Sequence, residues 1–128
     1  MLALTSAGVA MSGLGGRRVL IVEDEYMLAM DLVEHVSRLG AEVFGPVASL
    51  NEAEQLVRSG IDCAVLDINV RGEMSFGLAD NLARHGVPFV FATGYECAMI
   101  PERFSGVKCC TKPCLPQDVA AMLASLFH

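Results

Sequence analysis

The sequence predicts an α/β fold, a five-stranded parallel sheet with helices on both faces, and two observations support that class. From Arg18 onward, short aliphatic runs alternate with segments of helical periodicity in five repeats, the pattern that right-handed crossovers between parallel strands produce. Hydrophobic residues make up 53% of the 128 residues but aromatic residues only 6%, a composition typical of helices packed on a buried aliphatic sheet. This length suits one such domain.

The strands are predicted from short apolar runs at regular intervals. These runs cover 19–22, 41–44, 63–66, 87–92 and 107–111. Pro88 lies in the fourth run, and because proline lacks a ladder donor, we expect only the first residues of that strand to be irregular. The expected strand order is the flavodoxin-like 2-1-3-4-5, in which the topology switches between strands one and three.

The helices are predicted from apolar residues at helical spacing and from their end signals. Ser49 with Glu52 three residues later forms a capping box for the second helix. Pro116 suits the first turn of the last helix. Because Pro101 would break the segment 97–104, the fourth helix is predicted to be short or irregular.

Two domain assignments follow: residues 1–16 are predicted to be a flexible N-terminal leader, and residues 17–128 the folded domain. The leader contains four glycines, which favour a mobile segment. Arg17 and Arg18 follow its apolar part, whereas a secretory signal carries its basic residues first. No apolar run is long enough to span a bilayer, so we expect no membrane partner.

Net charge and cysteine content indicate which binding partners and which cellular compartment to expect. The formal net charge is −6 and no Lys/Arg-rich run is present, so nucleic acid is not an expected partner. The five cysteines are odd in number and lack a paired Cys-x-x-Cys spacing. We interpret them as small buried hydrophobes in the reducing cytoplasm; the alternative is a thiol switch around Cys109, Cys110 and Cys114.

Polar side chains follow four of the five predicted strands. Glu23 and Asp24 follow the first strand, and the later strands end at Asp67, Thr93 and Lys112. Because the carboxyl ends of parallel strands meet in one crevice at the topological switch point, we expect these groups to converge. Clustered acids repel one another and raise each other's proton affinity unless a cation lies among them.

The expected cation is Mg²⁺, a hard octahedral ion that accepts carboxylate, carbonyl, water and phosphate oxygens. Its predicted ligands are Asp24, Asp67 and the backbone carbonyl of Asn69, with Glu23 acting through water.

With the metal bound, Asp67 would be a carboxylate nucleophile able to form an aspartyl phosphate. Lys112 could hold one phosphoryl oxygen, and the Thr93 hydroxyl could donate to another.

These residues give the chain a resemblance to the receiver domain of bacterial response regulators, over nearly all of the sequence after Arg17. The motifs are V-L-I-V-E-D-E over 19–25, V-L-D-I-N-V over 65–70, Thr93 and Lys112-Pro113. F-A-T-G-Y over 91–95 further resembles the "FAT GUY" subgroup of small stand-alone receivers. The resemblance implies these roles: phosphoacceptor Asp67, metal-binding acids Glu23 and Asp24, switch hydroxyl Thr93, phosphate-sensing Lys112, and a cis bond before Pro113.

One departure from the family pattern concerns the switch. Most receivers have an aromatic residue three positions before the lysine, and this sequence has Cys109 there. Tyr95, two residues past Thr93, is the candidate switch aromatic that would replace it.

The predicted function is a stand-alone receiver that takes a phosphoryl group on Asp67 from a phosphohistidine of a histidine kinase or histidine phosphotransferase. Phosphorylation would switch binding to an unidentified protein target by shifting a conformational equilibrium. The chain would not be an enzyme beyond catalysing its own phosphorylation and dephosphorylation. The alternatives are a phosphorelay intermediate or a phosphate sink.

Three other classes are less favoured. A phosphohydrolase with an aspartyl intermediate needs an acid/base two residues past Asp67, where this chain has Asn69. A flavodoxin-like cofactor binder needs a Gly-rich loop where this chain carries Glu23, Asp24 and Glu25. A binding module that had lost phosphorylation would not need the complete set of acids, threonine and lysine. We interpret His35, His85 and His128 as structural residues.

Overall fold

The computed structural model describes residues 13–94 and 97–128. The strands are β1 (Arg18–Val22), β2 (Glu42–Val47), β3 (Cys63–Leu66), β4 (Asn69–Val70), β5 (Glu73–Met74), β6 (Phe89–Thr93) and β7 (Cys109–Thr111). The α-helices are α1 (Tyr26–Arg38), α2 (Leu50–Arg58), α3 (Phe76–Arg84) and α4 (Pro116–Ser125).

The main sheet has the order β2-β1-β3-β6-β7, and every neighbouring pair in it is parallel. β4 and β5 form a separate two-stranded hairpin. When only the strands of the main sheet are numbered, β6 and β7 are its fourth and fifth strands, so the order is the predicted 2-1-3-4-5. The flavodoxin-like prediction is confirmed. The topological switch point lies between β1 and β3, as expected for this order.

Both faces of the sheet are covered by helices because successive side chains of a strand point to opposite faces. Leu20, Leu66 and Phe91 pack with α2 and α3 in one core. Ile21 and Val65 pack with α1 and α4 in the other. The central strands are therefore apolar on both faces, which explains their uninterrupted hydrophobic runs.

The fourth helix is replaced by two short 3₁₀ turns, Cys97–Met99 and Glu102–Phe104, which confirms the prediction of an irregular element. Pro101 is the N-cap of the second turn. Phe104 anchors this segment, since its ring lies 5.8 Å from that of Phe91 and 5.9 Å from that of Phe76, centroid to centroid.

The domain begins earlier than predicted. Leu14 is completely buried and belongs to the core under α1 and α4, and its amide donates to the Leu39 carbonyl at 3.0 Å. Gly13 lies so close to α4 that a Cβ there would stand 2.7 Å from the Ala124 Cβ. Residues 13–16 of the expected leader therefore pack on the domain; residues 1–12 lie outside the described residues.

Three local features were not anticipated. The hairpin of β4 and β5 follows the third main strand, and the last strand spans three residues rather than five. In β2, Gly45 has φ +106°, and a Cβ there would lie 2.8 Å from the Ile21 carbonyl oxygen. Only glycine fits this close approach between β2 and β1, and the following Gly45–Pro46 bond is cis.

Four of the five cysteines are paired, so their interpretation as buried hydrophobes was wrong. Disulfides join Cys97 to Cys109 and Cys110 to Cys114. Spacing along the chain could not reveal the first pair, because the fold brings together cysteines 12 residues apart. For Cys63 the interpretation is confirmed: it is fully buried, and burial raises the pKa of its thiol to about 12.

Candidate functional site

The fold brings the predicted site residues to one edge of the sheet. Glu23 directly follows β1, Asp67 directly follows β3, and Lys112 directly follows β7. The parallel register aligns the last residues of β1 and β3, Val22 with Leu66, so the two acids emerge side by side. For Glu23, Asp67 and Lys112, the prediction that side chains at the strand ends converge is correct.

Lys112 lies at the centre of this cluster. Its Nζ donates to Glu23 Oε1 at 2.7 Å and to Asp67 Oδ2 at 2.9 Å. A third carboxylate, Glu25, has its Oε1 3.6 Å from the same nitrogen. Glu25 belongs to the motif after β1, but the sequence reasoning gave it no role in the site. Its position two residues after Glu23 was the available signal.

The acids of the cluster fit a divalent cation. One carboxylate oxygen each from Glu23, Asp24 and Asp67 lies within 4.8 Å of the others, and the single ammonium of Lys112 compensates only part of their charge. Hard oxygen ligands of this kind, partly open to water, suit Mg²⁺. Asp24 is oriented by the Arg71 amide, which donates to its Oδ2 at 3.0 Å.

The loop after Asp67 keeps its carboxylate in place. The Asn69 amide lies 3.4 Å from Asp67 Oδ1, and the Asn69 side chain accepts a hydrogen bond from the Gly72 amide at 2.8 Å. The backbone carbonyl of Asn69 stays a predicted metal ligand.

Burial and neighbouring charges raise the pKa values of two site residues, Glu23 and Lys112. Burial raises the pKa of Glu23 above its ordinary value of 4.5, and nearby Asp67 adds to that effect, although hydrogen bonds from Lys112 and the Glu25 amide oppose it. Burial alone would lower the pKa of Lys112, but its hydrogen bonds to Glu23 and Asp67 outweigh burial and raise it. Both groups therefore hold protons more tightly than in water, Glu23 chiefly because it is buried and Lys112 because it donates to two carboxylates.

A buried serine holds the backbone of Asp67, the predicted nucleophile, and was missed by the sequence reasoning. Ser75 is fully buried, and its hydroxyl donates to the Asp67 carbonyl oxygen at 2.7 Å. On the other side of the residue, the Asp67 amide donates to the Val22 carbonyl at 3.0 Å. No sequence signal pointed to this contact, because a serine before a helix is ordinarily interpreted as a cap.

The two predicted switch residues are directly connected through the backbone. Thr93 ends β6 and is completely buried, and its carbonyl accepts a hydrogen bond from the Lys112 amide at 2.7 Å. The bond between Lys112 and Pro113 is cis, as the resemblance implied. Tyr95, the candidate switch aromatic, lies outside the described residues.

A cavity of about 360 Å³ opens beside Lys112. Its walls come from the start of α1 and from the loop between β7 and α4; residues that line it include Glu25, Leu28, Leu32, Lys112, Pro113 and Cys114. The cavity therefore connects the charged site to an apolar surface.

The histidines have structural roles. His35 and His85 each hydrogen-bond through Nδ1 to the carbonyl of the residue four positions earlier in the same segment, at 2.9 and 2.8 Å. His128 Nε2 lies 3.0 Å from the Gly13 carbonyl oxygen. None of the three hydrogen-bonds or ion-pairs with the acidic cluster.

Among known proteins, the chain is similar to SdrG and PhyR. The solution structure of SdrG from Sphingomonas melonis Fr1 matches with a TM-score of 0.75 and 39% identity, over 92% of this chain and 100% of SdrG. The BeF3-activated conformation of SdrG from Pseudomonas melonis Fr1 matches with a TM-score of 0.72 and 38% identity, over 87% of this chain and 96% of that one. The Erythrobacter litoralis PhyR response regulator receiver domain has a TM-score of 0.72 at 27% identity, over 91% of this chain and 95% of that one.

The curated Phyllosphere-induced regulator PhyR of Methylorubrum extorquens is 31% identical over 111 residues, which are 83% of this chain. The chain spans 42% of the length of that PhyR. No protein-family model matches the chain.

Fold, site geometry and similarity agree on a class of protein: a doubly wound α/β signalling domain with an acidic site at the ends of its parallel strands. The chain belongs to the response regulator receiver domains of two-component systems. Across 13–94 and 97–128, the structure has no helix with the length and apolarity needed to cross a membrane.

Proposed function

We propose that the chain is a cytoplasmic, phosphorylation-controlled binding switch whose phosphoacceptor is Asp67. The donor is a phosphohistidine on a histidine kinase or histidine phosphotransferase, and the phosphorylated state changes the affinity for a downstream protein. The observation that carries this proposal is the Asp67 carboxylate, held 2.9 Å from Lys112 Nζ within a cluster of acids that fits Mg²⁺.

In the proposed transfer, an oxygen of Asp67 attacks the phosphorus atom and forms the new P–O bond. The P–N bond of the phosphohistidine breaks, and the imidazole nitrogen keeps the bonding electron pair and takes a proton from water. Mg²⁺ held by Glu23, Asp24 and Asp67 would supply the positive charge that lets two anions approach. Ser75 and the Val22 carbonyl hold the Asp67 backbone, so the carboxylate is oriented before the donor arrives.

Lys112 is the residue through which phosphorylation is sensed. Its ammonium donates to the Asp67 carboxylate, and a phosphoryl oxygen on that carboxylate would be a stronger acceptor for it. Because the Lys112 amide is also bonded to the Thr93 carbonyl, a movement of Lys112 is transmitted to the end of β6. Phosphorylation then favours one of two arrangements of this region.

The similarity to SdrG supports this switch. SdrG has a BeF3-activated conformation, and this chain matches it at 38% identity over 96% of its length. We infer that the same kind of activation occurs at Asp67.

The surface beside the site suits a protein donor. Tyr26 and Met27, at the start of α1, are 70% and 73% exposed, and the neighbouring cavity has apolar walls. A donor protein that buried these side chains would bring its histidine to Asp67.

A phosphohydrolase is disfavoured by the position of Asn69. Its side-chain oxygen is bonded to the Gly72 amide, so it closes a turn and is not a carboxylate able to act as an acid or base. A relay intermediate or phosphate sink would use the same chemistry at Asp67; a pull-down from lysate with and without beryllofluoride separates these roles from a direct target.

The test is intact-mass analysis of the protein after incubation with acetyl phosphate and Mg²⁺. We expect wild type to gain one phosphoryl mass, Asp67→Asn to gain none, and chelation of Mg²⁺ to abolish the gain. Asp31→Asn is the matched control, because Asp31 is exposed on α1 and outside the acidic cluster. Equal gain in wild type and Asp67→Asn would overturn the proposal.

A further inference from the structure

The disulfide between Cys97 and Cys109 joins the two segments on which the switch depends. Cys97 lies four residues after Thr93, in the first 3₁₀ turn, and Cys109 opens β7 three residues before Lys112. Their Cα atoms are 5.9 Å apart, within the range that a disulfide spans. The pair therefore connects the segment after β6 to the strand that delivers Lys112.

Both cysteines are at the surface of the core and partly exposed. Cys97 and Cys109 are only partly buried, and the Cys97 sulfur lies 3.1 Å from the hydroxyl of Thr111, an exposed residue. Cys63 differs, because it is fully buried and its thiol pKa is raised to about 12. An oxidant in solution would reach the pair and not Cys63.

We propose that Cys97 and Cys109 form a reversible redox site that controls how readily Asp67 is phosphorylated. The inference rests on the proposed function and adds to it a second input at the same switch. In the oxidised form, the disulfide holds the first 3₁₀ turn against β7, in the arrangement in which Lys112 donates to the Asp67 carboxylate.

The disulfide is expected to slow phosphorylation because it shifts the population of the two arrangements of this region. Phosphorylation requires Lys112 to move from the carboxylate to a phosphoryl oxygen, and the Lys112 amide is bonded to the Thr93 carbonyl. A covalent link that fits the starting arrangement favours it over the other. The oxidised protein therefore accepts a phosphoryl group more slowly than the reduced protein.

The oxidation is thiol–disulfide exchange with a small external disulfide. One protein thiolate attacks a sulfur of that disulfide, which forms a mixed disulfide and releases one small thiolate. The second protein thiolate then attacks the protein sulfur of the mixed disulfide and releases the other. Two protein thiols lose two electrons and two protons, and the external disulfide becomes two thiols. Excess thiol reverses the reaction.

The test uses glutathione disulfide as oxidant and two readouts. Differential alkylation with peptide mapping reports which cysteines are linked, and intact mass follows phosphorylation by acetyl phosphate with Mg²⁺. We expect a Cys97–Cys109 bond in the oxidised wild type and phosphorylation at least about fivefold slower than in the reduced protein. The double variant Cys97→Ser, Cys109→Ser should be phosphorylated at the reduced rate under both conditions.

A second double variant, Cys110→Ser with Cys114→Ser, is the matched control. It removes the other disulfide and keeps the proposed redox pair, so its slower phosphorylation on oxidation should persist. The inference is overturned if Cys97 and Cys109 do not link, if oxidised and reduced wild type react at the same rate, or if only the control variant loses the redox effect. A reduced wild type that gains no phosphoryl group overturns the proposed function as well.

Discussion

At the scale of the residue, the site depends on one shared ammonium group. Lys112 Nζ donates to Glu23 and to Asp67, and Glu25 lies close by. A lysine in this position can neutralise a carboxylate in one state and hold a phosphoryl oxygen in the other. The same group is therefore part of the resting structure and of the proposed sensing step.

Replacing this lysine tests its role. We expect Lys112→Met to lower the rate of phosphorylation by acetyl phosphate about tenfold or more, the effect of losing one charge-assisted hydrogen bond. Mg²⁺ binding, followed by isothermal titration calorimetry, should not weaken, because the variant removes a competing positive charge. Lys108→Met is the control, since Lys108 is exposed and bonded to Ser125. Equal phosphorylation rates for both variants would contradict the assignment.

The raised pKa of Glu23 predicts a pH dependence of stability in metal-free protein. Because burial raises this pKa above 4.5, the folded state binds the proton more tightly than the unfolded state. The contribution of Glu23 to stability is thus complete below pH 4.5 and is lost as pH rises through its folded pKa. Between pH 4.5 and 7, we expect the free energy of unfolding of wild type to fall relative to Glu23→Gln.

Urea unfolding in the presence of a chelator, at both pH values, measures this difference. A wild type that gains stability relative to Glu23→Gln as pH rises would show that the ion pair with Lys112 outweighs burial.

The sequence anticipated the residues at the strand ends better than those that support them. Asp67 and Lys112 could be placed because each follows an apolar run, and the parallel fold makes such ends converge. The contact of Ser75 with the Asp67 carbonyl and the pairing of Cys97 with Cys109 depend on loop paths. Those paths are set by tertiary packing, which periodicity does not report.

At the scale of the element, residues 13–17, directly before β1, belong to the folded domain. Leu14 is completely buried with α1 and α4, and Gly16 donates to the Gly40 carbonyl at 3.0 Å. Glycine-rich composition suggested a mobile leader, but one apolar residue between the glycines, Leu14, is enough to dock residues 13–16 on the domain.

Truncation of the Leu14 side chain tests whether this segment contributes to the stability of the domain. We expect Leu14→Ala to lower the free energy of unfolding by about 2–4 kcal/mol, the cost of a cavity in a packed core. Leu115→Ala, in which the leucine is 57% exposed, should change it by less than about 0.5 kcal/mol. Urea denaturation measures both, and equal effects would contradict the revised domain boundary.

The sequence predicted that the segment in place of the fourth helix would be short or irregular, but not how it packs on the domain. Pro101 signalled that a regular helix would not form, and two 3₁₀ turns are present. The packing of Phe104 against the rings of β6 and α3 carried no signal in the sequence, because these aromatic residues are far apart along the chain. This packing and the Cys97–Cys109 bond fix the segment at two points.

At the scale of the whole molecule, one site is connected to two surfaces. The acids and Lys112 lie at the switch point between β1 and β3. On one side is the exposed start of α1 with its cavity, and on the other the segment tied to β7. We infer that the first surface receives the donor and that the second reports the state of Asp67.

The central claim is that the phosphoryl group is carried by the carboxylate of Asp67. Borohydride converts an aspartyl phosphate to homoserine, so reduction of the phosphorylated protein followed by tandem mass spectrometry locates the modified residue. The account predicts homoserine at position 67, formed only with phosphodonor and Mg²⁺ and not in Asp67→Asn. Homoserine at another aspartate, or none in protein that has gained a phosphoryl mass, would contradict it.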